Sequence, residues 1–436
     1  MTAIPFADGD TVVVIGERLV ESEQQDPPPG SGWVRRLRDL VITHAPERRV
    51  EIIDATQPEQ RLHLVRQRWC DDVLWHRPQW ILLHMGLSDI HHLLGRKPEH
   101  MDPTAFGVAL QDLLAWTARR LPHAKVVLID PIFCSLDDDP AWGTGAVRRV
   151  LPSYHSQLRR IAAERDCVHV AVQDAVEERI AAEGESVFGR DEAHPEQEGS
   201  VLLASHVLAA CGGDPGATPA VAADSNVVFI GDSITDAGRR QAHLRPWGTG
   251  YMRLWRARLL AHDPVVARSL RIINRGIGGQ TIRNLQHRWE RDVLAHEPDH
   301  LVVKIGINDC NRWLADGGDP VSPEDYASIM DELLARTRSV RSSCRITLLS
   351  PFYLSWDDHP QSYRRKVRDA LPTYIAAGRR CADSHGARFV DLHAIFQKHL
   401  QRRSTRVFGG NQGADVVHPS ETGCMVIAEA LAAAQA

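Results

Sequence analysis

A single offset of 220 residues maps about a hundred residues of the first half of this 436-residue chain onto the second half. Gly306-Ile307-Asn308-Asp309 answers Gly86-Leu87-Ser88-Asp89, Arg288-Trp289 answers Arg68-Trp69, Asp292-Val293-Leu294 answers Asp72-Val73-Leu74, and Leu371-Pro372 answers Leu151-Pro152. A register that holds without a gap over so long a stretch requires the chain to build one domain twice, each copy around its own core. The copies also act as controls for each other. Shared residues report the framework, and differences report chemistry.

Within each copy, short β-branched runs alternate with longer segments of helical period, the pattern of βαβ units and a parallel sheet. Strands are expected at residues 11–15, 50–54, 80–85, 125–130 and 168–172 of the first copy. In the second they are expected at 227–230, 270–274, 300–305, 345–350 and 388–391. Tyr326, Ile329, Met330, Leu333, Leu334, Thr337 and Val340 recur at i, i+3, i+4 spacing and predict a helix with a core-facing stripe, opened by Ser322 and Pro323. Phe106, Leu110, Leu113 and Leu114 repeat the stripe in the first copy. A Gly-, Pro- and Ala-rich segment separates the halves, so the expected domains are 1–212 and 225–436, joined by a linker at 213–224.

Charge narrows the partners. The formal net charge is −5 with 25% charged residues, and the basic residues are spread along the chain, so neither a nucleic-acid nor a membrane partner is expected. Met1 to Asp10 lacks the basic start and apolar run of a secretory signal, and a cytoplasmic location is expected. Eight cysteines without CxxC spacing, none matched between the copies, read as reduced and mostly buried thiols. His84, His91 and His92 surround the Gly86 block without a carboxylate or cysteine at ligand spacing, and no metal site is expected.

Chemistry is written at four places in the second copy. The strand 227–230 runs into Gly231-Asp232-Ser233, which puts a serine at the carboxyl end of a first parallel strand. Near the end, Asp415-Val416-Val417-His418-Pro419 can set a carboxylate against one imidazole nitrogen while the other faces Ser233, as serine hydrolysis requires. Between them, Gly276-Ile277-Gly278-Gly279 and Gly306-Ile307-Asn308 bring a backbone amide and a side-chain amide to the same sheet edge. Taken singly, each has a structural reading: Ser233 as a helix cap, Asp415 as a turn cap, the glycines as a tight turn, Asn308 as a loop cap.

Together these blocks resemble the SGNH branch of the GDSL esterase family. Ser233, Gly279, Asn308 and His418 match its four signature residues in order, and Asp415 completes a triad. The resemblance implies two tandem flavodoxin-like three-layer α/β/α sandwiches, each with a parallel sheet of about five strands. It implies an oxyanion hole of Ser233, Gly279 and Asn308, and no metal or organic cofactor. Asp236, Arg239, Gly248-Thr249-Gly250-Tyr251, Asn274-Arg275-Gly276, Arg288-Trp289 and Pro351-Phe352-Tyr353 further resemble the intracellular acetylxylan esterase type.

Aligned residue by residue, the first copy puts Arg18 at the position of Ser233, Glu59 at Gly279 and Ser88 at Asn308, while Asp191 and His194 remain. It therefore reads as a degenerate, inactive domain in which Arg18 can pair with Glu17 or Asp191. The expected function is hydrolysis of acetyl or other short-chain acyl oxygen esters on a carbohydrate by the Ser-His-Asp triad of the second copy, with a small-molecule or oligosaccharide ester as substrate. Two other readings stay open: a thioesterase or lysophospholipase of the same type, and a carbohydrate-binding or assembly protein with secondary hydrolysis. The duplication also suggests an intramolecular pseudo-dimer, with homo-oligomers as a further option.

Overall fold

The computed structural model describes residues 4–18, 32–137, 143–184, 194–241, 246–315 and 318–436. The chain divides into two compact units, Met1–Pro215 and Gly216–Ala436. In the first, the strands are β1 (Thr11–Glu17), β2 (Glu51–Gln57), β3 (Trp80–His84), β4 (Lys125–Ile129) and β5 (Val168–Val170), ordered β2-β1-β3-β4-β5 and all parallel. In the second they are β6 (Asn226–Gly231), β7 (Arg271–Gly276), β8 (His300–Lys304), β9 (Arg345–Leu349) and β10 (Arg388–Val390), with the equivalent order and again all parallel. This is the flavodoxin-like order, with helices flanking each sheet. Each expected strand is present. β2 runs furthest past its expected end because its pairing with β1 continues to Glu17 and Gln57.

The central strands read as unbroken apolar runs because helices cover both faces. Val12 to Ile15 and Val227 to Ile230 are all fully buried. The helix Pro323–Val340 begins where Ser322 Oγ accepts a hydrogen bond from Asp325 N (3.0 Å), and it buries the expected stripe from Tyr326 to Thr337. Val340 departs from that expectation. It is exposed, because it is the last helical residue and the chain turns away there. The repeated tryptophans are framework: Trp69 Nε1 donates to Thr117 Oγ1 (3.0 Å) and Trp289 Nε1 to Thr337 Oγ1 (3.1 Å).

Both sheets need glycine where the first strand meets the third. A Cβ at Gly231 would stand 2.2 Å from Lys304 O, and one at Gly16 would stand 1.9 Å from His84 O. With β6 between β7 and β8, the loops after these three strands open on one edge, at the switch point where such sheets bind ligands. The segment between the units is tied at both ends. Gly213 N bonds to Leu208 O (2.9 Å), and Ala220 N to Gln435 O (3.2 Å). Among the described residues, no helix is long and apolar enough to cross a membrane.

Candidate active site

Ser233 opens a single helical turn, Ser233–Asp236, directly after β6. Asp232 caps that turn by accepting a hydrogen bond from Ile234 N (3.0 Å), which fixes the backbone from which the serine projects. The Ser233 Oγ lies 2.8 Å from His418 Nε2. On the far side of the ring, His418 Nδ1 lies 2.7 Å from Asp415 Oδ2.

The segment bearing His418 is a short strand. Gly409–Gly410 and Asp415–Pro419 pair as a short antiparallel hairpin, β11 and β12, because glycine at 409 and 410 lets the two backbones close up. The next helix, Glu421–Gln435, starts from the Ser420 cap. Asp415 Oδ1 accepts hydrogen bonds from Val417 N and His418 N, both at 2.9 Å. Partial burial pushes the Asp415 carboxyl upward, but these amides and the imidazole outweigh it and hold the group below the ordinary carboxylate range. A carboxylate that stays ionised is suited to orient an imidazole and balance its charge.

The third part is the loop after β7. Gly279 takes φ 76°, a left-handed turn that glycine adopts without strain, and nothing lies within 4 Å of where its Cβ would be. Arg312 Nη2 donates to Gly279 O (2.8 Å), and Asn308 Nδ2 donates to Gln280 O (2.9 Å). One amide hydrogen of Asn308 thus orients the group and leaves the second to serve a ligand. The residues that marked the subgroup turn out to be struts. Asn274 Nδ2 donates to Thr235 O (2.7 Å), Arg239 Nε to Gly276 O (2.8 Å), and Arg288 Nη2 to Gly231 O (3.2 Å). Gly278 N donates to Asp236 Oδ2 (3.2 Å), so the serine turn and the glycine loop are stitched together from both sides.

Two buried charges under this edge escaped the sequence reading. Lys304, the last residue of β8, pairs with Asp232 at 3.1 Å, and both side chains are wholly buried. Burial draws the ammonium below the ordinary lysine range against the pull of Asp232. The signal was a lysine ending an otherwise apolar strand, a residue type almost never buried without a partner. Asp309 is the other. Its Oδ1 accepts from Ile282 N (2.9 Å), joining the helix Ile307–Leu314, whose first turn carries Asn308, to the helix after the glycine loop, and burial pushes its carboxyl up to about 7.

Asp89 makes the equivalent bonds to Leu62 N and is also pushed up to about 7 by burial. A carboxyl raised in the folded state binds more protons folded than unfolded. Each should therefore cost roughly 1.4 kcal/mol of stability per pH unit as pH rises from the ordinary aspartate value to the raised one. Asp309→Asn removes one share. Its stability relative to wild type should rise through that window and be flat on either side. A thermal-unfolding difference that does not change with pH would contradict this.

The first unit arranges the matching positions differently. Glu17 is buried and accepts hydrogen bonds from Ser88 N (3.2 Å) and from Ser88 Oγ, so the donors at the Asn308 position are already taken by a carboxylate. Burial raises the Glu17 carboxyl, opposed by Ser88 and by the charge of His194. Where Lys304 stands in the second unit, the first has His84, pushed down to about 4 by complete burial and therefore neutral. Arg18 corrects its expected pairing with Glu17. It turns to the neighbouring strand and donates to Thr56 O (2.7 Å), since the carboxylate is already engaged by Ser88. Glu59 holds the left-handed turn of Gly279 at φ 53°, with its side chain exposed. Asp191 lies outside the described residues. Among the described residues, no group of three or more His, Cys, Asp or Glu side chains is placed to hold a metal ion.

A serine, an imidazole and a carboxylate in one hydrogen-bonded line, at a switch point and beside the glycine loop after β7, define an arrangement suited to acyl transfer. The chain belongs to the GDSL-like lipase/acylhydrolase family, which it matches twice, over residues 16–202 and 229–425. It is a carboxylic ester hydrolase. It is 32% identical over 219 residues to an acetylxylan esterase from Geobacillus stearothermophilus, covering 48% of this chain and 93% of the relative. Among solved structures, it is similar to an α/β hydrolase from the metagenome of Lake Arreo, Spain (34% identity, 49% of this chain and 96% of that chain, TM-score 0.43). It is also similar to a crystal structure of the Geobacillus stearothermophilus acetylxylan esterase (29% identity, 49% and 95%, TM-score 0.43).

Proposed function

We propose that the second unit is the catalytic one and that it removes acetyl or another short acyl group from a carbohydrate ester. The observation that carries this reading is the unbroken line from Ser233 Oγ through His418 (2.8 Å) to Asp415 (2.7 Å). Ser233 attacks the ester carbonyl while His418 Nε2 takes its proton, and Asp415 balances the imidazolium. The amides of Ser233 and Gly279 and the free hydrogen of Asn308 Nδ2 receive the developing oxyanion, each such donor being worth ~10²–10³ in rate. His418 then protonates the leaving alcohol, and water, activated by the same imidazole, hydrolyses the acyl-enzyme. The first unit, with Arg18 in place of the nucleophile, takes no part in the chemistry.

Carbohydrate is favoured over a long-chain lipid by the rim. Tyr363 donates through Oη to Asn311 O (3.2 Å), and Tyr363 and Trp313 remain 45% and 46% exposed. Open aromatic faces with arginines beside them, Arg312 and Arg364, suit the apolar face and hydroxyls of a sugar ring. The acetylxylan esterase relative points to the same substrate class. All eight cysteines are free thiols, which supports a cytoplasmic setting. The test is a panel of acetylated sugars and aryl esters of increasing acyl length. Acetyl esters should be hydrolysed fastest, with kcat/KM falling as the chain grows. A maximum at long acyl chains, or at thioesters, would overturn the substrate reading while leaving the triad untouched.

A further inference from the structure

We propose that the first unit carries a second ligand site, for a small anionic polyol such as a sugar bearing a carboxylate or phosphate. A pocket of about 670 Å³, within the size range of small-molecule sites, is lined in part by Arg148, Arg149, His155, Ser156, Arg159 and Asp174. It lies beside the carboxyl ends of β4 and β5. Gln173, the first residue of the helix after β5, accepts from Phe133 N (2.9 Å) and donates to Phe133 O (3.0 Å), bracing the loop after β4. Open α/β sheets bind ligands at that edge. None of the lining residues belongs to the Glu17–Ser88 cluster.

The charges in the pocket are unevenly committed. Arg148 is spent on Leu136 O (2.6 Å) and Glu177 (3.3 Å). Arg149 and Arg159 have no hydrogen bond or ion pair among the described residues, and both are exposed. Two uncommitted guanidiniums in one pocket are suited to a carboxylate or phosphate. Ser156 Oγ donates to Pro152 O (2.9 Å), so towards a ligand it is an acceptor, as is the Asp174 carboxylate. Acceptors beside cations call for an anion that also carries hydroxyl donors.

The second unit supplies the control. At the same offset, Arg149 is matched by Asp369, His155 by Ile375, Ser156 by Ala376, Asp174 by Ala394, and Gly145 by Arg365. Arg159 is matched by Arg379, which is spent there on Asp391 (2.9 Å) and on the ring of Phe389 (4.5 Å). Ala171 replaces that aspartate in the first unit, where Arg159 has no hydrogen bond or ion pair among the described residues. Three apolar positions of the second unit, Ile375, Ala376 and Ala394, are thus polar or charged around the pocket in the first, and the arginine at 365 is exchanged for one at 149.

The test uses the full-length chain carrying Ser233→Ala, so that no ester chemistry intervenes. It is titrated calorimetrically at low salt with glucuronate, glucose 6-phosphate, inorganic phosphate and glucose. One or both anionic sugars should bind at millimolar concentration, which of them does so identifying the anion, while glucose should not. Inorganic phosphate should bind more weakly than a sugar phosphate that binds. Arg149→Asp combined with Arg159→Ala, both at exposed positions, should weaken binding by about tenfold or more without changing the circular dichroism spectrum. Absence of binding by both anionic sugars, binding unchanged in the double variant, or inorganic phosphate binding as tightly as the sugar phosphate would overturn the proposal.

Discussion

Ser233→Ala should lower kcat on an acetyl ester by about 10⁴–10⁶-fold and leave the fold intact. The hydroxyl accounts for a single side-chain hydrogen bond, to His418, and contributes nothing to the core, so thermal stability should not move. The size of the loss also tests the first unit. If Arg18, Glu59 and the Glu17–Ser88 contact leave that unit without a nucleophile or free donors, the variant has nothing to fall back on. Residual turnover within tenfold of wild type, independent of ester reactivity, would place the chemistry elsewhere in the chain.

The second large effect is expected under the site. Lys304→Met strips a wholly buried carboxylate of its counter-charge and should cost about 3–5 kcal/mol in the unfolding of the second unit. Adding Asp232→Asn should return most of that, because a neutral pair of similar volume no longer carries an unpaired charge and still offers Ile234 N an acceptor. A loss below about 1 kcal/mol in the single variant would mean that Asp232 is not held there as an anion. The first unit is a natural version of the exchange. With neutral His84 in place of the lysine, and a carboxylate one methylene longer, the acid reaches Ser88 instead of staying beneath the turn.

The strands, and the meeting of Ser233, His418 and Asp415, were legible because each rests on a short contiguous pattern. A buried parallel strand is an apolar run whatever surrounds it, and Gly-Asp-Ser or Asp-x-x-His carries its geometry within a few residues. The hidden part depends on pairings between distant residues. Asp232 and Lys304 meet only because β6 and β8 are adjacent in a register that sets Gly231 opposite Lys304. Arg18 finds Thr56 only because β1 and β2 are neighbours in the sheet. Val340 satisfied the helical period, yet it is exposed because position in the fold, not periodicity, decides what the final turn faces. The duplication supplied what a lone copy would not, separating Trp289 and Asp309, which recur, from Ser233 and Gly279, which do not.

The stoichiometry of covalent labelling by a serine-directed organophosphate tests most directly whether the chain has one active centre, at Ser233. Intact protein should take up one equivalent, located on the peptide containing Ser233, with activity lost in proportion and no uptake by Ser233→Ala. Two equivalents per chain, or a label on any residue of the first unit, would contradict a single centre there.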